Sequence, residues 1–254
     1  MPLSLQLYSM RDVPDQLGLL DQLSALGIAQ VEGFGGVYDS PMTYRAAMDR
    51  SGITMPSGHI GLDDLETDFD GSLALAKALG MARVFAPYLE ESQRPTQSEG
   101  YVALAQRLNT LQGRFADHGL QFGWHNHDFE FVTLKDGALP MQILLEHAPN
   151  LLWEADLAWV ARAGCDPLAF INRFGDRLSA IHVKDIAASG THLEEGGWAD
   201  LGAGTLDWAT LLKACRDVSD DLLYILEHDA PSDPLRFARQ SAAAFQSLWG
   251  TPDA

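Results

Sequence analysis

Four short apolar segments in the second half of the chain each end in side chains able to hold a divalent metal. They read Phe122-Gly-Trp-His125-Asn-His127, Leu152-Trp-Glu154-Ala-Asp156, Ala180-Ile-His182-Val-Lys184-Asp185 and Tyr224-Ile-Leu-Glu227-His228-Asp229. Such groups have no structural use at one edge of a buried apolar strand. Side chains alternate across a strand, so His125 shares a face with His127, Glu154 with Asp156, His182 with Lys184, and Glu227 with Asp229. If the strands are adjacent, His125, Asp156, His182 and Glu227 meet at one point. Two imidazoles and two carboxylates make a borderline nitrogen and oxygen site, suited to one divalent ion such as Mn2+, Zn2+, Co2+ or Fe2+ rather than Cu(I) or Ca2+.

Each residue also has a bland reading. A lone histidine at a strand end is more often a hydrogen-bonded structural group, and a lone aspartate caps the following loop as readily as it ligates. Four on successive strands favour the ion. His127 lies on the face of His125 one pleat further out, so one of the two can ligate while the other acts as acid or base. Glu154, one pleat deeper than Asp156, suits support of an imidazole ligand better than ligation.

Earlier segments add Gln6 and Tyr8, Glu32 before Gly33-Phe-Gly35-Gly36, and His59 after Pro56-Ser-Gly. These either hydrogen-bond substrate hydroxyls or, for Gln6 and Glu32, satisfy each other. Lys184 is a candidate cation for an enolate oxygen, or else part of a salt bridge at the outer rim. The Gly202-Ala-Gly204 pair is weak support for a phosphate cradle. Trp159, Trp198, Phe129 and Phe131 fall where loops are expected and could pack on a sugar ring, or could be core.

Positioning these groups requires a repeating frame. Short apolar runs at 3–9, 28–34, 53–59, 82–88, 120–127, 151–157, 178–185 and 222–229 alternate with helix-period segments. One helical face is traced by Tyr101, Leu104, Ala105, Leu108, Leu111 and Phe115, another by Trp208, Leu211, Leu212 and Cys215. Gly27, Gly52, Gly80 and Gly119 stand where helices should end. Ser40-Pro41, Asp166-Pro167 and Asp233-Pro234 pair a capping side chain with a proline suited to a first helical turn. Eight strand–helix units without a composition break predict a parallel sheet closed into a single (β/α)8 barrel spanning 1–254. An open doubly wound sheet usually shows a glycine-rich turn after its first strand, and here that turn is Tyr8-Ser-Met-Arg-Asp. The stretch 186–206 is expected to be a long irregular loop over the active face, either a lid or a flexible excursion.

Bulk properties narrow the chemistry. The 254 residues are 46% apolar and 20% charged, and 17 basic against 35 acidic groups give a net charge of −18. That charge opposes nucleic-acid binding, and the basic residues form no patch. The cysteines, Cys165 and Cys215, have no metal or redox spacing and read as free thiols in a reducing compartment. No basic leader or long apolar run is seen, so a cytoplasmic protein without membrane contact is expected. A homodimer is open to it, although no patch reads as an interface.

The opening Leu5-Gln-Leu-Tyr-Ser-Met-Arg, with Ser57-Gly-His59-Ile-Gly-Leu62, His125-Asn-His-Asp-Phe-Glu-Phe131, Glu154-Ala-Asp156-Leu-Ala-Trp159, Ile181-His-Val-Lys-Asp185, Gly202-Ala-Gly-Thr-Leu-Asp-Trp208 and Leu226-Glu-His-Asp229, resembles the xylose isomerase-like TIM barrel family of sugar phosphate isomerase/epimerases, in its His-Asn-His branch. The resemblance implies one divalent metal held by Glu, Asp, His and Glu on strands five to eight. Three of those roles fall on Asp156, His182 and Glu227. The chain departs at the first, placing His125 where many relatives have Glu. The expected activity is isomerisation or epimerisation of a small polyhydroxylated carbonyl compound, a keto-sugar or an inosose, through a metal-stabilised enediolate. His127, His59, Glu32 and Glu227 are the candidate bases. A lyase acting on a similar substrate, a dehydratase or keto-glycoside eliminase, is the alternative, and a non-catalytic sugar-binding barrel the second. The fold also resembles the DNA-repair endonuclease branch, whose extra histidines are not evident here.

Overall fold

The structure, a computed structural model, describes residues 2–250. Met1 and 251–254, the ends of the expected 1–254 domain, lie outside the described residues. Eight parallel strands close into a barrel: β1 (Ser4–Gln6), β2 (Gln30–Gly33), β3 (Thr54–His59), β4 (Arg83–Ala86), β5 (Gln121–His125), β6 (Leu152–Asp156), β7 (Leu178–Val183) and β10 (Leu223–Leu226). β1 pairs with both β2 and β10, which completes the ring. The helices that return the chain are α1 (Gln16–Ala25), α2 (Pro41–Ser51), α3 (Leu62–Thr67), α4 (Phe69–Leu79), α5 (Ser98–Ala116), α6 (Pro140–His147), α7 (Leu157–Arg162), α8 (Pro167–Phe174), α9 (Trp208–Val218) and α10 (Pro234–Trp249).

Packing follows from the two periodicities. The apolar faces read on α5 and α9 are buried throughout. Inside the barrel, Phe85, Ala180 and Ile225 make a small separate apolar cluster. The ionisable groups stand above this plug, shielded from bulk water.

Helix ends match most of the punctuation. Gly27, Gly52, Gly80 and Gly119 all adopt positive φ. Asp166 accepts from the Leu168 amide and Asp233 from the Arg236 amide. Ser40 makes no capping bond, so Pro41 alone marks the start of α2.

Other expectations are corrected. Each strand is shorter than its apolar run, because runs continue into the turns that follow; Leu7–Met10, for instance, is a 3-10 turn. The stretch 186–206 is largely loop, as expected, but it holds a short hairpin and a 3-10 turn (Leu193–Glu195). Asp185–Ile186 (β8) pairs antiparallel with Trp198–Ala199 (β9), a hairpin too short to leave a sequence signal. Trp159 lies on α7 rather than in a loop, because the Asp156 carboxylate accepts from its amide and starts that helix directly after β6.

Candidate metal centre

Two register shifts decide which side chains meet. Between β6 and β7, Trp153 lies opposite Leu178 but Glu154 lies opposite Ala180, so Ser179 is skipped and Asp156 comes level with His182. Between β2 and β3 the pairing jumps from Gln30–Thr54 to Glu32–Ser57. A one-residue offset without the first shift would set Asp156 against Ile181, whose side chain faces the other way. On the far side of β6, His125 is level with Glu154, not with Asp156.

The donors therefore fall into two sets that share His182. In the inner set, donor atoms of His59, His125, Glu154 and His182 all lie within 4.8 Å of one another. Glu154 Oε2 is 2.5 Å from His59 Nε2, 3.1 Å from His125 Nδ1 and 3.5 Å from His182 Nε2. In the outer set, Asp156, His182 and Glu227 satisfy the same limit, and His182 Nδ1 lies 3.0 Å from Glu227 Oε2. Three of the expected ligands thus converge, while His125 joins the inner set.

Glu32 sits beneath both histidines. Its Oε1 lies 2.8 Å from His182 Nε2 and 3.2 Å from His59 Nε2, and accepts a hydrogen bond from Gln6 Nε2 at 2.8 Å. Glu32 and Gln6 do satisfy each other. Both are fully buried and neither lines the cavity, so Glu32 is placed to orient rings rather than to reach a substrate. Lys184 is also not at the rim. Its ammonium is fully buried, 3.3 Å from Asp156 Oδ2, 3.1 Å from Glu227 Oε2 and 2.5 Å from Asp229 Oδ2. The ring centres of Trp198 and Trp159 lie 4.3 and 4.9 Å from it. It therefore neutralises carboxylates and has no direct line to an enolate oxygen in the cavity.

Above the donors opens a cavity of about 470 Å³, within the range of small-molecule sites. His59, His125, His127, Glu227 and Asp229 supply its polar wall, and Tyr8, Phe34 and Tyr88 its aromatic wall. His127 stands edge-on to His125 with ring centres 5.1 Å apart, and its Nδ1 has no hydrogen-bond partner.

Burial and neighbouring charges set the protonation states. Burial acts to lower His59, yet Glu32 and Glu154 lift it to about 10. His182 is likewise raised by Glu154 and Glu227 against burial. Burial pushes His127 down to about 3 and the Lys184 cation adds to this, so its ring is neutral. Burial lifts Asp156 to about 7 despite Lys184. Glu154 is raised, by burial and then by Glu32. Protonated His59 and His182 thus face the two inner carboxylates.

The donor chemistry fits a divalent metal. Glu154 Oε1 and Glu32 Oε2 are buried without a hydrogen-bond partner, and His125 Nδ1, although near Glu154, lacks hydrogen-bond geometry. Unpaired buried acceptors are costly unless a cation meets them. Glu154, expected to support an imidazole, meets three of them, and its parity with Asp156 becomes telling only once it is set opposite His125.

The Gly202-Ala-Gly204 turn is not a phosphate cradle. Asp185 Oδ2 accepts from the Gly202 and Gly204 amides and Oδ1 from Leu206 and Ile186, so a carboxylate of the chain already fills it. Trp198 packs edge-on against Trp159 and Phe131 against Phe170, both as core contacts.

A closed parallel barrel with imidazole and carboxylate donors at the C-terminal ends of its strands is the architecture of an active-site barrel. Residues 20–248 match the family model described as xylose isomerase-like TIM barrel, and the chain belongs to that family. Solved structures agree in fold. A sugar phosphate isomerase/epimerase from Parabacteroides distasonis superposes with a TM-score of 0.82 at 18% identity, covering 97% of this chain and 93% of that one. The probable 3-DHS dehydratase AsbF from Bacillus anthracis gives 0.76 at 16% identity, with 97% and 99% covered. The IOLI protein, whose structure has a bound zinc atom, gives 0.78 at 14% identity, with 98% of each chain covered. A search of the curated proteins finds no match. No described helix is long and apolar enough to cross a membrane.

Proposed function

We propose that the protein is a divalent-metal-dependent isomerase or epimerase acting on a small polyhydroxylated carbonyl compound such as a keto-sugar or inosose. One observation carries this reading: imidazole and carboxylate donors converge around His182 at the floor of a cavity whose wall presents a second, unpartnered histidine, His127. The donors around His182 would hold the ion. A bound divalent ion would supply Lewis-acid polarisation of a substrate carbonyl, which acidifies the neighbouring C–H.

The chain's own residues do the rest. His127, neutral and lining the cavity, takes the proton on its imidazole ring. Returning it to the neighbouring carbon gives isomerisation, whereas protonation of the original carbon from the opposite face, by a second donor, gives epimerisation. Tyr8, Phe34 and Tyr88 press apolar faces on the substrate and limit water. The sugar phosphate isomerase/epimerase among the structural neighbours is consistent with this chemistry.

A lyase is the second reading, favoured by His59. With the ion on the outer donors, His59 lines the cavity and carries a proton held between Glu32 and Glu154, which is what expulsion of a β-hydroxyl or aglycone requires. A dehydratase is also among the neighbours. Incubating the metal-loaded protein with a panel of keto-sugars and inososes in D₂O separates the two. Deuterium entering an intact substrate supports the isomerase or epimerase; release of water or an aglycone supports the lyase. No exchange across the panel would remove catalysis altogether and leave a sugar-binding barrel.

A further inference from the structure

We propose that the inner quartet His59, His125, Glu154 and His182 seats the ion, and that the buried ammonium of Lys184 is the standing cation of the outer carboxylates Asp156, Glu227 and Asp229. This deepens the metal-dependent reading above and rests on it.

Four arguments converge. The inner set offers four donors against three, and its contacts of 2.5, 3.1 and 3.5 Å to Glu154 Oε2 bracket the edge of about 3.3 Å expected between ligands at ordinary metal–ligand bond lengths. Its one carboxylate, Glu154, keeps Oε1 unpaired in a fully buried position, as does Glu32 Oε2 beside the set, whereas the outer carboxylates already have an ammonium within 3.3 Å. Lys184 cannot swing away, because Trp159 and Trp198 cage it and no part of it is exposed. A dication added beside it would meet like charge in a poorly solvated site. Finally, His182 turns Nε2 toward the inner set and Nδ1 toward Glu227. With Nε2 on the ion, Nδ1–H donates to Glu227, the carboxylate–imidazole–metal chain by which proteins orient a ligating ring. His59 and His125 both line the cavity, so an ion held there is reached by substrate.

The assignment differs from the sequence expectation at four residues: Asp156 and Glu227 become groups that organise the site, and His59 and Glu154 become ligands. The test is calorimetric titration of the full-length, chelator-dialysed protein with Mn2+ and with Zn2+. One ion per chain is expected. Glu154→Gln should weaken binding by more than about 100-fold, and Asp156→Asn by less than about 10-fold. If Asp156→Asn strips the ion while Glu154→Gln keeps it, or if two ions bind per chain, the proposal fails and the metal-dependent reading survives. If the wild-type protein binds neither ion, both fail. Because a buried substitution can unfold the chain, pulsed EPR of the Mn2+-loaded wild type gives an independent readout: several imidazole nitrogens coupled to the ion support the inner seat, and a single one overturns it.

Discussion

His125 and Glu154 stand directly opposite each other on adjacent parallel strands, and their side chains meet at 3.1 Å near the top of the barrel. The pairing depends on how closely β5 and β6 approach. Gly123, two residues before His125, leaves no space: a Cβ there would lie 2.6 Å from the Leu152 carbonyl oxygen and 2.8 Å from the Phe85 ring. Backbone cannot yield as a flexible side chain can. Gly123→Ala should cost about 1–3 kcal/mol, the usual penalty for overpacking, and lower Tm by several degrees. It should also weaken retention of the ion, read by metal analysis after gel filtration. An unchanged Tm would show that the strands do not depend on this contact.

His182 is common to both donor sets, so His182→Ala should remove the ion whichever set holds it. Atomic absorption should find under a tenth of the wild-type metal, roughly. Far-UV circular dichroism should be unchanged, because the apolar plug below and the helices outside are untouched. Wild-type metal content in this variant would break the ligand assignment at its centre.

For proton transfer the discriminating variant is His127→Ala. His127 touches neither carboxylate cluster through a hydrogen bond and belongs to neither donor set, so the ion should stay. Solvent deuterium exchange should fall by about 10²–10⁴-fold, the range for loss of a general base. Full exchange activity would exclude this residue from the chemistry.

How much of this was legible beforehand differs between scaffold and site. The barrel, its helix faces and the glycine-terminated helices follow from periodicities of 2 and 3.6 residues, which need only the local sequence. The level at which groups meet does not. Asp156 faces His182 because Ser179 is skipped in the pairing, and nothing in Leu178-Ser-Ala-Ile-His182 announces that shift. Lys184 was placed on the correct face, but its cage arises from Trp159 on α7 and Trp198 on the hairpin, two elements whose starts sequence reasoning missed. Asp185 was likewise read as the end of a metal-binding strand end, when its carboxylate serves four backbone amides.

That last arrangement carries its own prediction. Asp185→Ala would leave the amides of Gly202, Gly204, Leu206 and Ile186 without their acceptor, at a cost of about 3 kcal/mol or more. Limited proteolysis should then cut within 186–206 faster than in the wild type. Equal cutting would mean that the hairpin holds this segment without its anchor.

Acid should loosen the same region. Burial works to raise Glu195, but hydrogen bonds from the Ser232 hydroxyl and amide, together with Arg236 and His192, hold it down at about 2. A carboxylate depressed in the folded state stabilises above its ordinary value of 4.5, and that stabilisation drains away as pH falls from 4.5 toward 2. Urea midpoints should therefore separate wild type from Glu195→Gln at pH 6 and converge near pH 2. Parallel profiles would exclude Glu195 as a source of acid sensitivity.

His182, Lys184 and Asp185 serve as a ring common to both donor sets, a cation among carboxylates and the anchor of a turn, within four consecutive positions. One added or deleted residue there would reverse the in-and-out alternation and disable all three together. The exposed residues 188–194 carry no such burden. Length differences among homologous chains should therefore collect at the hairpin tip and be absent from 182–185, an evolutionary signature written by the strand's two-residue repeat.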